Sequence, residues 1–390
     1  MSPITKVTSE LEAKAAEATE EPDRLAKMPE PVKAEARAML EDPDLLKRVV
    51  EDIGALGVAG EKELRATHYL VGTSRLLRHP LAAIIQGPSS SGKSYVLEKT
   101  ASLFPPETVI RATQMTPQAL FHMPPGSLKH RFIVAGERSR RENDEMADAK
   151  RALREMLSSG RLDKLMPMKV GSEIQTVHII QEGPIAYVES TTLRQIFAED
   201  ANRVLLLTTD ERPEQTRRII DKLAKGYSGA NPEAATDRIA ERHYALQRML
   251  QPHPVVVPYA EQLGEMLTHD RVEARRAFPQ LMSMIQASAL LRQQQREMDT
   301  EGQLIATPDD YQLARYLLAK PIGRLLGGRL SDPARRFYER LPEWFGPEEE
   351  FTVQDAMARE QGSRSSVYGW IHVLHDGGFL EKTEGQRGRA

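Results

Sequence analysis

Cysteine is absent from the 390 residues. No disulfide can brace the fold and no zinc site with thiolate ligands can form, which fits a reducing compartment. A large net charge is missing too. The formal charge of −3 creates no global field that would draw the chain to nucleic acid, so any DNA contact must come from local basic patches. No apolar run approaches the roughly 20 residues of a membrane-spanning helix. The opening stretch MSPITKVTSELEAKAAEATEE lacks the apolar segment of a secretory signal. These absences lead to the expectation of a soluble, cytoplasmic protein with no membrane partner.

What remains is 40% apolar, enough for a sizeable core over two or three domains. Residues 1–30 are rich in Ala, Glu, Lys and Pro and read as a flexible arm. Residues 31–80 form a helical segment, because MLEDPDLLKRVVEDIGALG and ELRATHYLVGTSRLL place apolar residues three and four apart. His79-Pro80 stops the second of these. From 81 to 215, short apolar runs alternate with helical stretches. The runs are LAAIIQ (81–86), TVIRA (108–112), RFIVA (131–135), PIAYVES (184–190) and RVLLLTT (203–209). Continuous runs of this kind suit strands buried on both faces, hence a parallel five-stranded sheet in an α/β fold. DKLMPMK (163–169) and IQTVHII (174–180) read as an inserted β-hairpin. Residues 216–345 are expected to form a helical lid, with FPQLMSMIQASALLRQQQ its strongest amphipathic segment, and 346–390 a separate small module.

Between the first strand and the helix KSYVLEKTASLF stands GPSSSGKS, a P-loop in its required context. Gly87 and Gly92 let the backbone curl, so that amides from Gly87 through Pro88, Ser89, Ser90, Ser91 and Gly92 to Lys93, Ser94 and Tyr95 surround a phosphate at a helix N-terminus. Lys93 reaches the β- and γ-phosphates of a nucleoside triphosphate, and the Ser94 hydroxyl ligates Mg²⁺. Hydrolysis needs a carboxylate at the end of a neighbouring strand. Glu137 directly follows RFIVA and suits a base that polarises the attacking water. Its strand is expected beside the P-loop strand. The position before it, where an Asp supporting Mg²⁺ is usual, is Gly136. The fourth strand ends in Ser190-Thr191-Thr192, where a hydroxyl either orients the lytic water or caps the next helix; Thr191 is the catalytic candidate. Asn202-Arg203 precedes the fifth strand. Arg203 is either an arginine finger for a neighbouring subunit's γ-phosphate or a surface residue, with Arg194 its nearest competitor.

Taken in order, EDPDLLKRVVEDIGALGVAGE, PLAAIIQGPSSSGKS, SLKHRFIVAGE, GPIAYVESTT…NRVLLLTTDERPEQTRRI and FPQLMSMIQASALLRQQQREMDTEGQLIATPDDYQLAR resemble the helicase-like ATPase module of bacterial and phage zinc-finger/Toprim DNA primases. That module is AAA+, near the MCM and superfamily 3 helicases, and the resemblance covers residues 35–390. It implies a P-loop AAA+ core, ATP with Mg²⁺, a hexameric homo-oligomer and movement along single-stranded or forked DNA. It makes Lys93 and Ser94 Walker A, Glu137 the Walker B glutamate, Ser190–Thr192 sensor 1, and Arg203 the finger. Hairpin 163–180 becomes a pre-sensor hairpin, with Lys164 and Lys169 either DNA contacts or part of a solvated face. Arg276 or Arg217 serves as sensor 2. The zinc finger and Toprim domain of those primases have no counterpart here, so primers come from a separate primase.

The last module reads FTVQDAMARE as one helix, SRSSVYGWIHVLHDGG as a second, and FLEKTEGQRGR as a β-wing. This resembles a winged helix-turn-helix. It presents Arg364, Ser365, Ser366 and Tyr368 to DNA bases or phosphates, with Arg387 and Arg389 on the backbone; binding to protein is the other use of such modules. His372 and His375 read as packing or surface residues, since no third metal ligand is evident. The expected function is therefore a ring-forming DNA helicase or translocase in replication of a phage or mobile element. The alternative is an ATP-gated, DNA-binding initiator with slow hydrolysis, a use that Gly136 favours. An AAA+ transcription activator is disfavoured because no GAFTGA-type loop is found.

Overall fold

The computed structural model describes residues 23–113, 119–137, 144–170, 173–193, 203–228, 233–267, 269, 271–326, 332–346, 350–360, 362–376 and 379–380. The chain is α/β, with a five-stranded parallel sheet among helices. Its strands are β1 (Ala82–Gln86), β2 (Val109–Ala112), β3 (Arg131–Glu137), β6 (Ile185–Thr191) and β7 (Leu205–Thr208), in the order β2-β3-β6-β1-β7. Burial explains the sequence pattern. All seven residues of β6 are buried, as are Ala82 to Ile85 of β1, because both strands lie inside the sheet with layers on each face. The edge strand β2 has no fully buried residue. Ile84, Ile133 and Tyr187 from three of the strands meet Leu128, Leu153, Met156 and Leu162 in one core cluster.

This order corrects one expectation. The strand ending in Glu137 does not lie beside the phosphate-loop strand; β3 pairs with β2 and β6, and β6 alone separates it from β1. The hairpin comes before β6, as β4 (Arg161–Val170) and β5 (Glu173–Glu182), paired antiparallel in a sheet of their own.

Helices α1 (Glu30–Leu40), α2 (Leu45–Ala55) and α3 (Lys62–Thr73) precede β1, and α4 (Lys93–Ala101) follows it. Then come α5 (Asp144–Ser159), α6 (Pro213–Tyr227), α7 (Glu233–Met249), β8 (Val255–Val256), α8 (Ala260–Met266), α9 (Ala274–Leu291), β9 (Leu304–Ile305) and α10 (Pro308–Leu326). A buried polar chain ties α2 and α3 to α7. His243, wholly buried, bonds Asp52 through Nε2 and the Tyr69 hydroxyl through Nδ1, each at 2.9 Å. Gln247 donates to Tyr69 at 3.1 Å and accepts from the buried Arg75 at 2.7 Å. These bonds offset much of the cost of burying the groups that make them.

The chain divides into two compact units. One comprises Met1–Leu267 with Phe278–Leu317, the other Thr268–Ala277 with Leu318–Ala390. Within the second, α11 (Asp332–Trp344), α12 (Val353–Arg359) and α13 (Arg364–Asp376) close on Phe337, Leu341, Phe345, Ala356, Val367 and Leu374. Thr352 and Asp355 form a reciprocal capping box that starts α12. Of the expected wing, only Phe379 and Leu380 are among the described residues; they pack against this cluster.

Candidate functional site

The loop 87–92 joins β1 to α4 at the carboxyl edge of the sheet. Its turn depends on left-handed backbone at Ser90 (φ 67°) and Gly92 (φ 86°), the second being glycine territory. Gly87 is needed for another reason. A Cβ there would meet the Thr209 hydroxyl oxygen at 2.4 Å and that of Ser91 at 2.8 Å. Both neighbouring strands hold the loop: Gly87 N–H donates to Thr191 O at 3.2 Å, and Thr209 N–H donates to Gln86 O at 3.4 Å. The Gln86 side chain adds a 2.6 Å bond to Leu193 O.

Lys93 opens α4 and is buried, yet among the described residues no carboxylate is in hydrogen-bonding contact with its ammonium. It donates to Gly87 O at 2.9 Å and to Pro88 O at 2.6 Å. Burial lowers its pKa, opposed by the charges of Glu137 and Glu211. Gly92 caps α4 with no side-chain bond, so the first-turn amides of Lys93, Ser94 and Tyr95 point out of the helix end beside that ammonium. Ser94 is exposed there. Tyr95 turns back to donate to Leu56 O at 3.4 Å. An exposed hydroxyl at this position fits a magnesium ion that arrives with a triphosphate and completes its shell with phosphate oxygens and water.

The acidic side is altered in a definite way. Between the register pairs Val134↔Val188 and Glu137↔Ser190, β3 spends one more residue than β6, a bulge centred on Gly136. A Cβ on Gly136 would lie 2.4 Å from the backbone oxygen of Thr113. A carboxylate at position 136 therefore has no room, and a second acidic metal support cannot come from it. The bulge brings Glu137 opposite Ser190, where its Oε1 accepts a 2.8 Å hydrogen bond from the Thr192 hydroxyl. Thr191 does not share this role: it is fully buried, and its hydroxyl accepts from Leu193 N–H at 3.1 Å. Thr192 is thus the strand-end hydroxyl at the acid. Ser190 Oγ is buried with no partner.

Arg203 belongs to the opposite edge. Leu205 pairs with Ala83, so Arg203 stands at the amino end of β7. At about 3.3 Å per residue it is roughly 20 Å from the loop of its own chain. There it donates to Ser158 Oγ at 3.1 Å. Lys164 lies over the Phe121 ring at 4.7 Å, on a hairpin that also exposes Leu165 and Ile174. In the second unit, Arg364 stacks 5.8 Å from Tyr368, and the Ser363 hydroxyl meets those of Ser365 and Ser366 at 3.0 and 2.8 Å. Arg217 is exposed on α6, and Arg276 belongs to the second unit. Arg194, Asn202, Arg387, Arg389 and the Lys169 side chain lie outside the described residues. Among the described residues, no group of three or more His, Asp or Glu side chains is placed to hold a metal, His372 and His375 included.

Three residues at this edge escape a reading by motif. Glu211 is close enough to raise the Lys93 pKa. Glu61, whose own pKa burial raises, accepts from Asp210 N–H at 2.8 Å and so joins the segment before α3 to the end of β7. Thr209 presses its hydroxyl on Gly87. A signal for Thr209 was in view: both strands flanking β1 end in threonine pairs, Thr191-Thr192 and Thr208-Thr209. No protein-family model matches this chain, and no curated protein matches it in sequence.

Proposed function

We propose that this chain is an Mg²⁺-dependent ATPase of AAA+ type that assembles into a ring, a hexamer by its resemblance, and moves along single-stranded or forked DNA during replication of a phage or mobile element, beside a separate primase. One observation carries the ATPase reading. At a single sheet edge, Lys93 heads the helix that follows a glycine-pinned loop, and the Glu137 carboxylate lies within electrostatic reach of it. Backbone amides and Lys93 bind and orient the phosphates. Glu137 takes the proton of the attacking water; Thr192 fixes one carboxylate oxygen and leaves the other for that water. Bound Mg²⁺, held by Ser94, supplies charge neutralisation on the phosphates. Arg203 is too far from its own loop to serve there, which supports a finger given to a neighbouring copy. The winged helix-turn-helix reading of residues 346–390, with α12 and α13, and the DNA contacts of Lys164 and Arg364 extend the same proposal.

A second reading, an ATP-gated initiator that binds duplex DNA and hydrolyses slowly, is favoured by Gly136, where no second carboxylate fits. An ATPase assay with and without single-stranded and forked DNA separates the two, run beside Glu137→Gln and Arg203→Ala. The motor predicts DNA-stimulated hydrolysis, and partial rescue when inactive Arg203→Ala and Lys93→Ala proteins are mixed. Hydrolysis unmoved by DNA, with tight duplex binding, supports the initiator instead.

A further inference from the structure

We propose that Thr209, outside the loop motif, is a working part of the phosphate site: its hydroxyl replaces the Lys93 ammonium on the carbonyl of Gly87 when a nucleoside di- or triphosphate binds. The inference rests on reading 87–94 as a phosphate cradle. In the free protein Lys93 satisfies Gly87 O and Pro88 O. A phosphate that draws the ammonium away leaves Pro88 O, on an exposed residue, with Ser91 N–H at 3.4 Å, but takes from the buried Gly87 the donor to its carbonyl, and a buried carbonyl without a donor opposes the move.

Replacement donors are already in place. Thr209 Oγ1 and Ser91 Oγ are both buried with no hydrogen-bond partner among the described residues, and both press on Gly87 from the side where its Cβ would be. Thr209 is only 6% exposed, so water does not satisfy it. The site of the would-be Cβ also lies 3.6 Å from Lys93 Cδ, which puts lysine stem, hydroxyls and glycine in one contact. An unpaired buried hydroxyl is unfavourable in the free state. Here that disadvantage is removed on binding, when lysine turns to the phosphates and the Thr209 hydroxyl takes the carbonyl of Gly87. Strand β7 delivers Thr209 to this spot through its backbone bond to Gln86.

The test is titration of Mg-ADP into wild type, Thr209→Val and Thr209→Ser, with melting temperatures measured without nucleotide. The valine keeps the shape and loses the donor. It is expected to melt at or above wild type when free, and to bind Mg-ADP about tenfold more weakly. The serine keeps the donor and is expected to bind within about twofold of wild type. Valine binding equal to wild type overturns the exchange and leaves the cradle standing. So does a serine variant as weak as valine, since the lost methyl would then be the cause. A free valine variant that melts below wild type also overturns it, because the hydroxyl would then be paired before nucleotide arrives. Wild type that fails to bind Mg-ADP removes the cradle and the exchange together.

Discussion

Along the carboxyl edge of the sheet, the β1–β7 side and the β3–β6 side are built on opposite plans. On the first, a loop is pinned from both flanks by backbone bonds to Thr191 and Thr209, and its lysine rests on loop carbonyls with buried hydroxyls in reserve. On the second, a bulge removes room for one carboxylate at Gly136 and fixes the next, Glu137, on Thr192. The difference teaches that an unusual residue in a motif can be a fitted feature. Glycine is the only residue type that lets Thr113 O approach position 136 as it does, so the residue there is tied to the path of β2.

Replacing Glu137 with Gln separates the halves most sharply. Hydrolysis should fall about 10²–10³-fold while Mg-ATP binding stays within about twofold, measured by turnover and by calorimetry. Equal losses in both would merge the two sides into one function. Lys93→Ala acts on the other half: Mg-ADP affinity should fall roughly 100-fold, because a buried cation leaves the phosphates unmatched. Gly136→Asp tests the bulge. It should cost about 2–3 kcal/mol in denaturant unfolding without raising the hydrolysis rate, since the new Cβ meets backbone. A faster enzyme of unchanged stability would mean that Gly136 is a simple lost acid. The smallest effect is expected from Thr192→Ala, about a tenfold drop in kcat at unchanged KM, with Thr192→Ser close to wild type.

The strands were legible because their apolar runs are continuous: Ala82–Gln86 and Ile185–Thr191 fall within two residues of the runs read from sequence. The place of the loop between β1 and α4 was legible because an apolar run ends at Gln86 and a helical pattern starts at Lys93. The order of the strands was not, since PIAYVES and RFIVAGE are equally apolar and nothing local says which of them pairs with β1. Nor was the reason for Gly136, which lies in the backbone of Thr113, remote in sequence. Choosing between Thr191 and Thr192 needed the bulge, which sets the residue that faces Glu137.

The central claim is that this edge binds Mg-ATP through the β1 loop and hydrolyses it with Glu137. Single-turnover hydrolysis of Mg-ATP by wild type and Glu137→Gln, with bound nucleotide measured in the same samples, tests it most directly. The account predicts cleavage by wild type, and a Gln variant that holds ATP uncleaved. Cleavage by the Gln variant at the wild-type rate, or a wild type that holds no nucleotide, would contradict it.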